Sequence, residues 1–241
     1  MNKLPFLLLS CLFFISCAAP AYRRIQSDEY QEQATLTSSL FKSDQDLLSE
    51  EAINRILGSK IVLPQNAKIA LMKFPDRTEQ GRFSRYGYRY SRSEDYLKLQ
   101  QSYSDSVTSE LLTSSRIAEV IPLPSMMLPK EPSIPILREA AVRLQADLLL
   151  VYRITSDIYQ EYVLFGKDKV KAYCTCEVVF LDIRTGIIPF TTVVTEDKLV
   201  LKEKDDLNID EASRRAEKLA TIGTLRIVGQ QMVAFLNSLP K

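Results

Sequence analysis

The sequence predicts an α/β (α+β) domain with a single mixed sheet and helices packed mainly on one face. Three observations predict it. In the first part of the chain, segments whose apolar residues recur every three or four positions separate short, nearly continuous apolar runs. Later runs follow one another through brief turns, as hairpin strands do. A long helical stripe closes the chain. The order read is β-α-β-α-β-β-β-β-α, preceded by a short helix.

Residues 1–16 read as an export signal, with Lys3 as the positive start and an apolar run over 4–15 broken at Pro5 and the Ser10-Cys11 pair. A bilayer span needs about 20 apolar residues, so this run is too short to be one. It ends in Phe14-Ile15-Ser16-Cys17-Ala18, a small residue before a cysteine, which resembles a bacterial lipoprotein signal. Cys17 is then the acylated first residue of the processed chain. The Leu8-Leu9-Ser10-Cys11 stretch offers a competing junction that would leave only about six apolar residues. An unlipidated secreted chain and an uncleaved anchor are the other readings of this end. Residues 17–45, rich in Ser, Gln, Thr and charge, are expected to form a flexible tether, and 46–241 a single α/β domain.

Within that domain a short amphipathic helix over about 46–57 carries Leu47, Leu48, Ile53 and Leu57 and stops at Gly58. A strand over 67–74 lies between Pro64 and Pro75. Tyr96, Leu99, Tyr103, Val107, Leu111 and Leu112 mark a helix over about 93–115. A second strand spans 118–123, and after a proline-punctuated loop a helix over 136–145 buries Leu137, Ala140, Ala141 and Leu144. The continuous apolar run 147–154 reads as a central strand, covered on both faces or on one face and by its neighbours. Strands over 158–165, 170–183 and 187–201 follow, with turns at Gly166-Lys167-Asp168 and Arg184-Thr185-Gly186. In the middle one, Val170, Ala172, Cys174, Cys176, Val178 and Phe180 share one face, and Lys169, Lys171, Tyr173, Thr175 and Glu177 share a wet one. The last helix, 210–237, contains Gly223 and Gly229, which weaken helix propensity and permit close packing.

The composition excludes several function classes. With no histidine in 241 residues, Ser/His, Cys/His and His-ligated metal chemistry are all absent. The seven glycines form no phosphate-cradling loop. A balance of 31 basic to 30 acidic residues argues against nucleic acid as a partner. Cys174 and Cys176, two apart on a strand, read as buried apolar residues rather than a metal or redox pair. Nothing in the spacing of Glu177, Asp182 and Asp197 selects a carboxylate pair, and Asp182 and Asp147 read as turn residues. No catalytic residue, cofactor or metal site is expected.

Three phrases carry a family resemblance. They are Lys68-Ile69-Ala70-Leu71-Met72-Lys73-Phe74, the run Leu144-Gln145-Ala146-Asp147-Leu148-Leu149-Leu150-Val151-Tyr152, and Val179-Phe180-Leu181-Asp182-Ile183-Arg184-Thr185-Gly186-Ile187. In that order, with the lipoprotein signal, they resemble the CsgG, LpoB and TolB-N-terminal group of envelope proteins over about 60–236. The resemblance implies an α/β sandwich that binds other proteins without catalysis, in envelope assembly, secretion or peptidoglycan synthesis. It also implies an outer-membrane lipoprotein facing the periplasm, with the bilayer and another envelope protein as partners and an oligomer left open. The alternative it implies is an oligomeric CsgG-like pore subunit. Only one strand here alternates clearly, and because 158–165 lacks clean alternation a half-buried sheet strand explains it better than a membrane strand does.

The segment 82–92 is the most unusual in the chain. Arg82, Arg85, Arg89 and Arg92 are interleaved with Phe83, Tyr86, Tyr88 and Tyr90, without an acid. Arginine and tyrosine concentrate at protein interfaces, which makes Arg82, Arg85, Tyr86, Tyr88, Arg89, Tyr90 and Arg92 the candidate partner-binding residues. A solvated loop or edge strand is the plain alternative, and contact with anionic lipid or glycan a third.

Overall fold

The computed structural model describes residues 22–24, 49–74, 94–127 and 133–240. Its elements are β1 (Tyr22–Arg24), α1 (Glu50–Gly58), β2 (Ala67–Lys73), α2 (Glu94–Leu111), β3 (Ile117–Pro122), a 3₁₀ turn (Ser125–Met127), α3 (Ile134–Arg143), β4 (Leu148–Glu161), β5 (Lys169–Asp182), β6 (Phe190–Leu201) and α4 (Ile209–Ser238). They form one mixed sheet in the order β3-β2-β4-β5-β6. β2 runs parallel to β3 and β4, whereas β4, β5 and β6 form an antiparallel meander. β2 pairs only with the first part of β4, from Leu148 to Tyr152, and β1 pairs antiparallel with its far end, Tyr159 to Glu161. β1 lies within the stretch expected to be a tether.

The apolar run at the start of β4 is central, as its continuous hydrophobicity requires. Leu148, Leu150 and Tyr152 point into a core shared with Tyr103, Val107 and Leu111 of α2 and Leu225, Val228, Met232 and Leu236 of α4. Leu149 and Val151 point the other way, against Leu137, Ala140 and Ala141 of α3. Burying both faces removes every side chain of the run from water, and deleting one such leucine to alanine typically costs about 2–5 kcal/mol. The two long helices thus share one face of the sheet, and among the described residues only the short α3 covers part of the other. Phe180, Phe190 and Phe235 stack at the end of the larger core, with centroids 4.9–5.9 Å apart.

One element count differs from the expectation. The strands read separately over 147–154 and 158–165 are one fourteen-residue strand, so three strands rather than four follow α3. The polar Thr155-Ser156-Asp157 interruption looks like a break in sequence. In the fold it pairs in unbroken register with Thr175, Cys174 and Tyr173 of β5, respectively, and ladder hydrogen bonds override the missing apolar pattern. The strand ends at Glu161, which places Leu164 and Phe165 in the turn rather than in a strand.

Local chemistry fixes the ends of elements. α3 has Pro135 in its first turn and ends through Gln145, whose φ of 57° is the left-handed conformation that closes many helices. Asp147 then ties the chain to β2, its backbone N–H donating to the Lys68 carbonyl and its carboxylate accepting from the Lys68 N–H at 3.0 Å. Asn208 caps α4 by accepting from the Glu211 N–H at 3.2 Å, with Asp210 and Glu211 favourable in the first turn. Arg116, nearly buried, donates to the carbonyls of Leu63, Leu239 and Pro240 and so locks the end of the chain to the approach of β2. α4 is long and apolar enough to cross a membrane, but its apolar stripe is the larger core's wall.

Candidate interaction surface

Period-two alternation along β4, β5 and β6 sends even-numbered residues toward α4 and odd-numbered ones to the opposite face. Beneath the first half of α4 the even face is lined by small residues. Val170, Ala172 and Cys174 meet Ala212, Ala216 and Ala220, which lets helix and sheet approach closely. Polar groups in this seam are matched: the Ser156 hydroxyl donates to the Glu217 carboxylate, Gln160 Nε2 donates to Ser213 Oγ at 2.9 Å, and Thr224 Oγ1 donates to the Cys174 and Ala220 carbonyls. Burial pushes the Cys174 thiol up and raises that of Cys176 to about 12, so neither ionises near neutrality. Both behave as the sequence suggests, as small buried apolar residues.

The odd face is different. The apolar cluster under α3 stops at Val151 and Leu181, and no described helix packs on the sheet beyond it. There, Arg153, Thr155, Asp157 and Tyr159 of β4 lie beside Lys171, Tyr173, Thr175 and Glu177 of β5, with Thr195 and Asp197 of β6 next to them. All of the β4 and β5 residues are half-buried, and those of β6 are exposed. Arg153 donates to Glu177 at 2.6 Å, and Lys171 sits 3.1 Å from Asp197 and 4.8 Å from the Tyr173 ring centroid. Tyr159 meets Tyr173 edge to face at 5.7 Å and donates to Asp157 at 2.9 Å. The Tyr173 hydroxyl and then the Asp197 carboxylate hold the Lys171 ammonium above its ordinary value.

This is an amphipathic platform of aromatic rings, hydroxyls and mutually neutralised charges on three rigid strands. Glu177 and Asp197 share it, but each faces its own cation rather than the other, so they do not form an acid/base pair. Asp182 lies off the platform and closes the β5–β6 turn by accepting from the Thr185 N–H and hydroxyl. Arg138 holds the same turn through the Ile183 and Arg184 carbonyls. Among the described residues no group of three or more Cys, Asp or Glu could hold a metal ion.

The residues that the sequence singled out lie elsewhere. Cys17 and Arg82, Arg85, Tyr86, Tyr88, Arg89, Tyr90 and Arg92 are all outside the described residues. The chain departs toward that segment at Phe74, whose N–H donates to the Tyr152 carbonyl at 2.7 Å, and is described again from Glu94 at the start of α2. The alternation in β5 was the legible sign of the platform. The contribution of β4 was hidden by the apparent break at Thr155-Ser156-Asp157.

No protein-family model and no curated protein matches the chain. Among solved structures it is similar to a minor lipoprotein from Acinetobacter baumannii, at 11% identity and a TM-score of 0.38, covering 74% of this chain and 97% of that one. It is also similar to a lipoprotein from Neisseria meningitidis, at 12% identity and a TM-score of 0.32, covering 70% and 98%. A third is the PelC dodecamer from Paraburkholderia phytofirmans, at 13% identity and a TM-score of 0.30, covering 69% and 91%.

Proposed function

We propose that this chain is a lipoprotein of the bacterial envelope, acylated at Cys17 and facing the periplasm from the outer membrane. It acts as a non-catalytic protein-interaction module in an assembly, secretion or peptidoglycan-synthesis machine. The observation that carries this reading is the platform of β4, β5 and β6, which no helix among the described residues covers. Rigid strands there present tyrosines and paired charges whose geometry is already set, so a partner meets little ordering entropy. The Arg82 to Arg92 segment, with Arg85, Tyr86, Tyr88, Arg89 and Tyr90 at its centre, supplies a second patch of the residue types that dominate protein interfaces.

The pore reading is weaker on this geometry. As a membrane strand β5 would turn its apolar face to lipid. Here that face is closed by Ala212, Ala216 and Ala220.

The anchor is tested by replacing Cys17 with Ala in the full-length chain and fractionating the envelope. The parent should be processed and held in the membrane fraction, and the variant should be released to the soluble fraction or left unprocessed. Identical processing and membrane association of the two would refute the anchor.

A further inference from the structure

The turn joining β4 and β5 exposes apolar side chains that a soluble hairpin would normally replace with polar ones. Leu164 is 84% and Phe165 92% exposed, with Tyr162 beside them. The turn is braced: Asp168 Oδ1 accepts from the Val163 N–H at 3.0 Å, and the Asp168 carbonyl accepts from the Lys202 N–H at 2.8 Å. That second bond brings the β6–α4 loop alongside, where Leu207 is 88% exposed. Several acids of this end are engaged within the protein, while Glu203 and Asp205 stay exposed in the β6–α4 loop beside Lys204. Asp168 serves the turn, Glu161 pairs with Lys169 at 3.4 Å, and Asp206 accepts from both terminal guanidinium nitrogens of Arg215. The β4–β5 turn itself therefore presents an apolar tip, with Lys167 as its flanking cation.

An independent observation ties this end of the sheet to the proposed anchor. β1 pairs antiparallel with the end of β4, Tyr22 opposite Glu161, so the chain enters the fold at the base of this same turn. Four residues separate Cys17 from Tyr22. Their full extension reaches about 17 Å. The other end of β5, at the Arg184 turn, lies some 43 Å away at about 3.3 Å per residue. An acyl group on Cys17 therefore holds the bilayer within reach of the Leu164–Phe165 end of the sheet, the end nearer the anchor.

We infer that the β4–β5 tip, led by Leu164 and Phe165, with Leu207 in the adjoining β6–α4 loop, docks into the interfacial layer of the bilayer that holds the acylated Cys17. The inference rests on Cys17 being the anchor. Leucine and aromatic rings partition into that layer while neighbouring backbone groups stay hydrated, and a lysine reaches the headgroups. Docking makes a second attachment beside the lipid, so the strands stand on the membrane and the platform faces sideways along it, open to a membrane-bound partner. Apolar insertion is also insensitive to salt.

The chain contains no tryptophan, so a single one reports on its own site. Full-length Phe165→Trp, Leu164→Trp and Arg184→Trp chains are reconstituted in phosphatidylethanolamine and phosphatidylglycerol vesicles with or without brominated acyl chains. Flotation reads attachment, and emission reads the tip. Tryptophan at 165 and at 164 should shift to shorter wavelength and lose most of its emission in brominated lipid at low and high salt, and tryptophan at 184 should do neither. If the chains float but 164 and 165 emit like 184, the docking is wrong and the anchor stands. A blue shift without bromine quenching would place a second copy on the tip and equally overturn it. Quenching at 164 and 165 in a chain whose Cys17 proves unmodified would support the tip and refute the anchor.

Discussion

Replacing Gly229 by alanine should destabilise the protein, whereas the same change at Gly223, six residues earlier in α4, should stabilise it. Both substitutions relieve the helix of a glycine, which is worth about 1 kcal/mol in a helix interior. They differ in what the new methyl meets. At 223 nothing lies within 4 Å of the added Cβ. At 229 it would sit 2.8 Å from both Cβ and Cγ of Glu110 on α2. Those are the stem atoms of the side chain, close to the backbone, so a rotamer change cannot clear them and the two helices must separate. Overpacking of this kind costs about 1–3 kcal/mol and here also loosens the core around Val107, Val228 and Met232. The net expectation is a gain of about 0.5–1 kcal/mol for Gly223→Ala and a loss of up to about 2 kcal/mol for Gly229→Ala. Urea unfolding of the parent and both variants measures this through the midpoints at constant slope. Stabilisation by both changes to the same degree would refute the close α2–α4 crossing.

Two further predictions concern titration and reactivity. Arg215, together with the Glu203 backbone N–H, lowers the Asp206 carboxyl to about 2. Its folded value lies below its unfolded one, so the stabilisation is complete above pH ~4 and is lost as pH falls through ~2; Asp206→Asn should lower the melting temperature at neutral pH and flatten its dependence between pH 4 and 2, and an unchanged acid limb would contradict the pairing. With Cys11 and Cys17 replaced by alanine, Cys174 and Cys176 should resist an aromatic disulfide reagent in the native protein at pH 8 and react stoichiometrically in guanidinium, because burial keeps both thiols protonated. Rapid native reaction of either one would show that the seam under α4 opens.

The parts of the fold written as periodicity were legible, and the parts decided by neighbours were not. Continuous apolarity in Leu148 to Tyr152 announced a central strand, and Val170 to Phe180 announced both a strand and its wet face. The unity of β4 was not legible, because Thr155, Ser156 and Asp157 are held in the ladder by pairing with β5, with the Glu217 side chain across from Ser156. Gly223 and Gly229 read alike in sequence, and only the position of Glu110 separates them. For the candidate surface, the tyrosines and charges of β5 could be assigned to one face. Their pairing with Tyr159, Arg153 and Asp197 depends on registers that no single strand encodes.

The proposal that this chain is an interaction module is tested most directly by photo-cross-linking in living cells. A photo-reactive residue is placed in the full-length chain either at Tyr173, on the platform, or at Ile222, on the exposed side of α4. The account predicts one discrete protein adduct from position 173 and none from 222. Replacing Tyr86, Tyr88 and Tyr90 by Ser and Arg85 and Arg89 by Gln should weaken capture by ~2 kcal/mol or more, roughly 30-fold, if that segment joins the interface. Equal adduct yields from 173 and 222 would contradict the assignment of the platform, and an adduct from 173 that the segment substitutions leave unchanged would remove Arg82 to Arg92 from the interface.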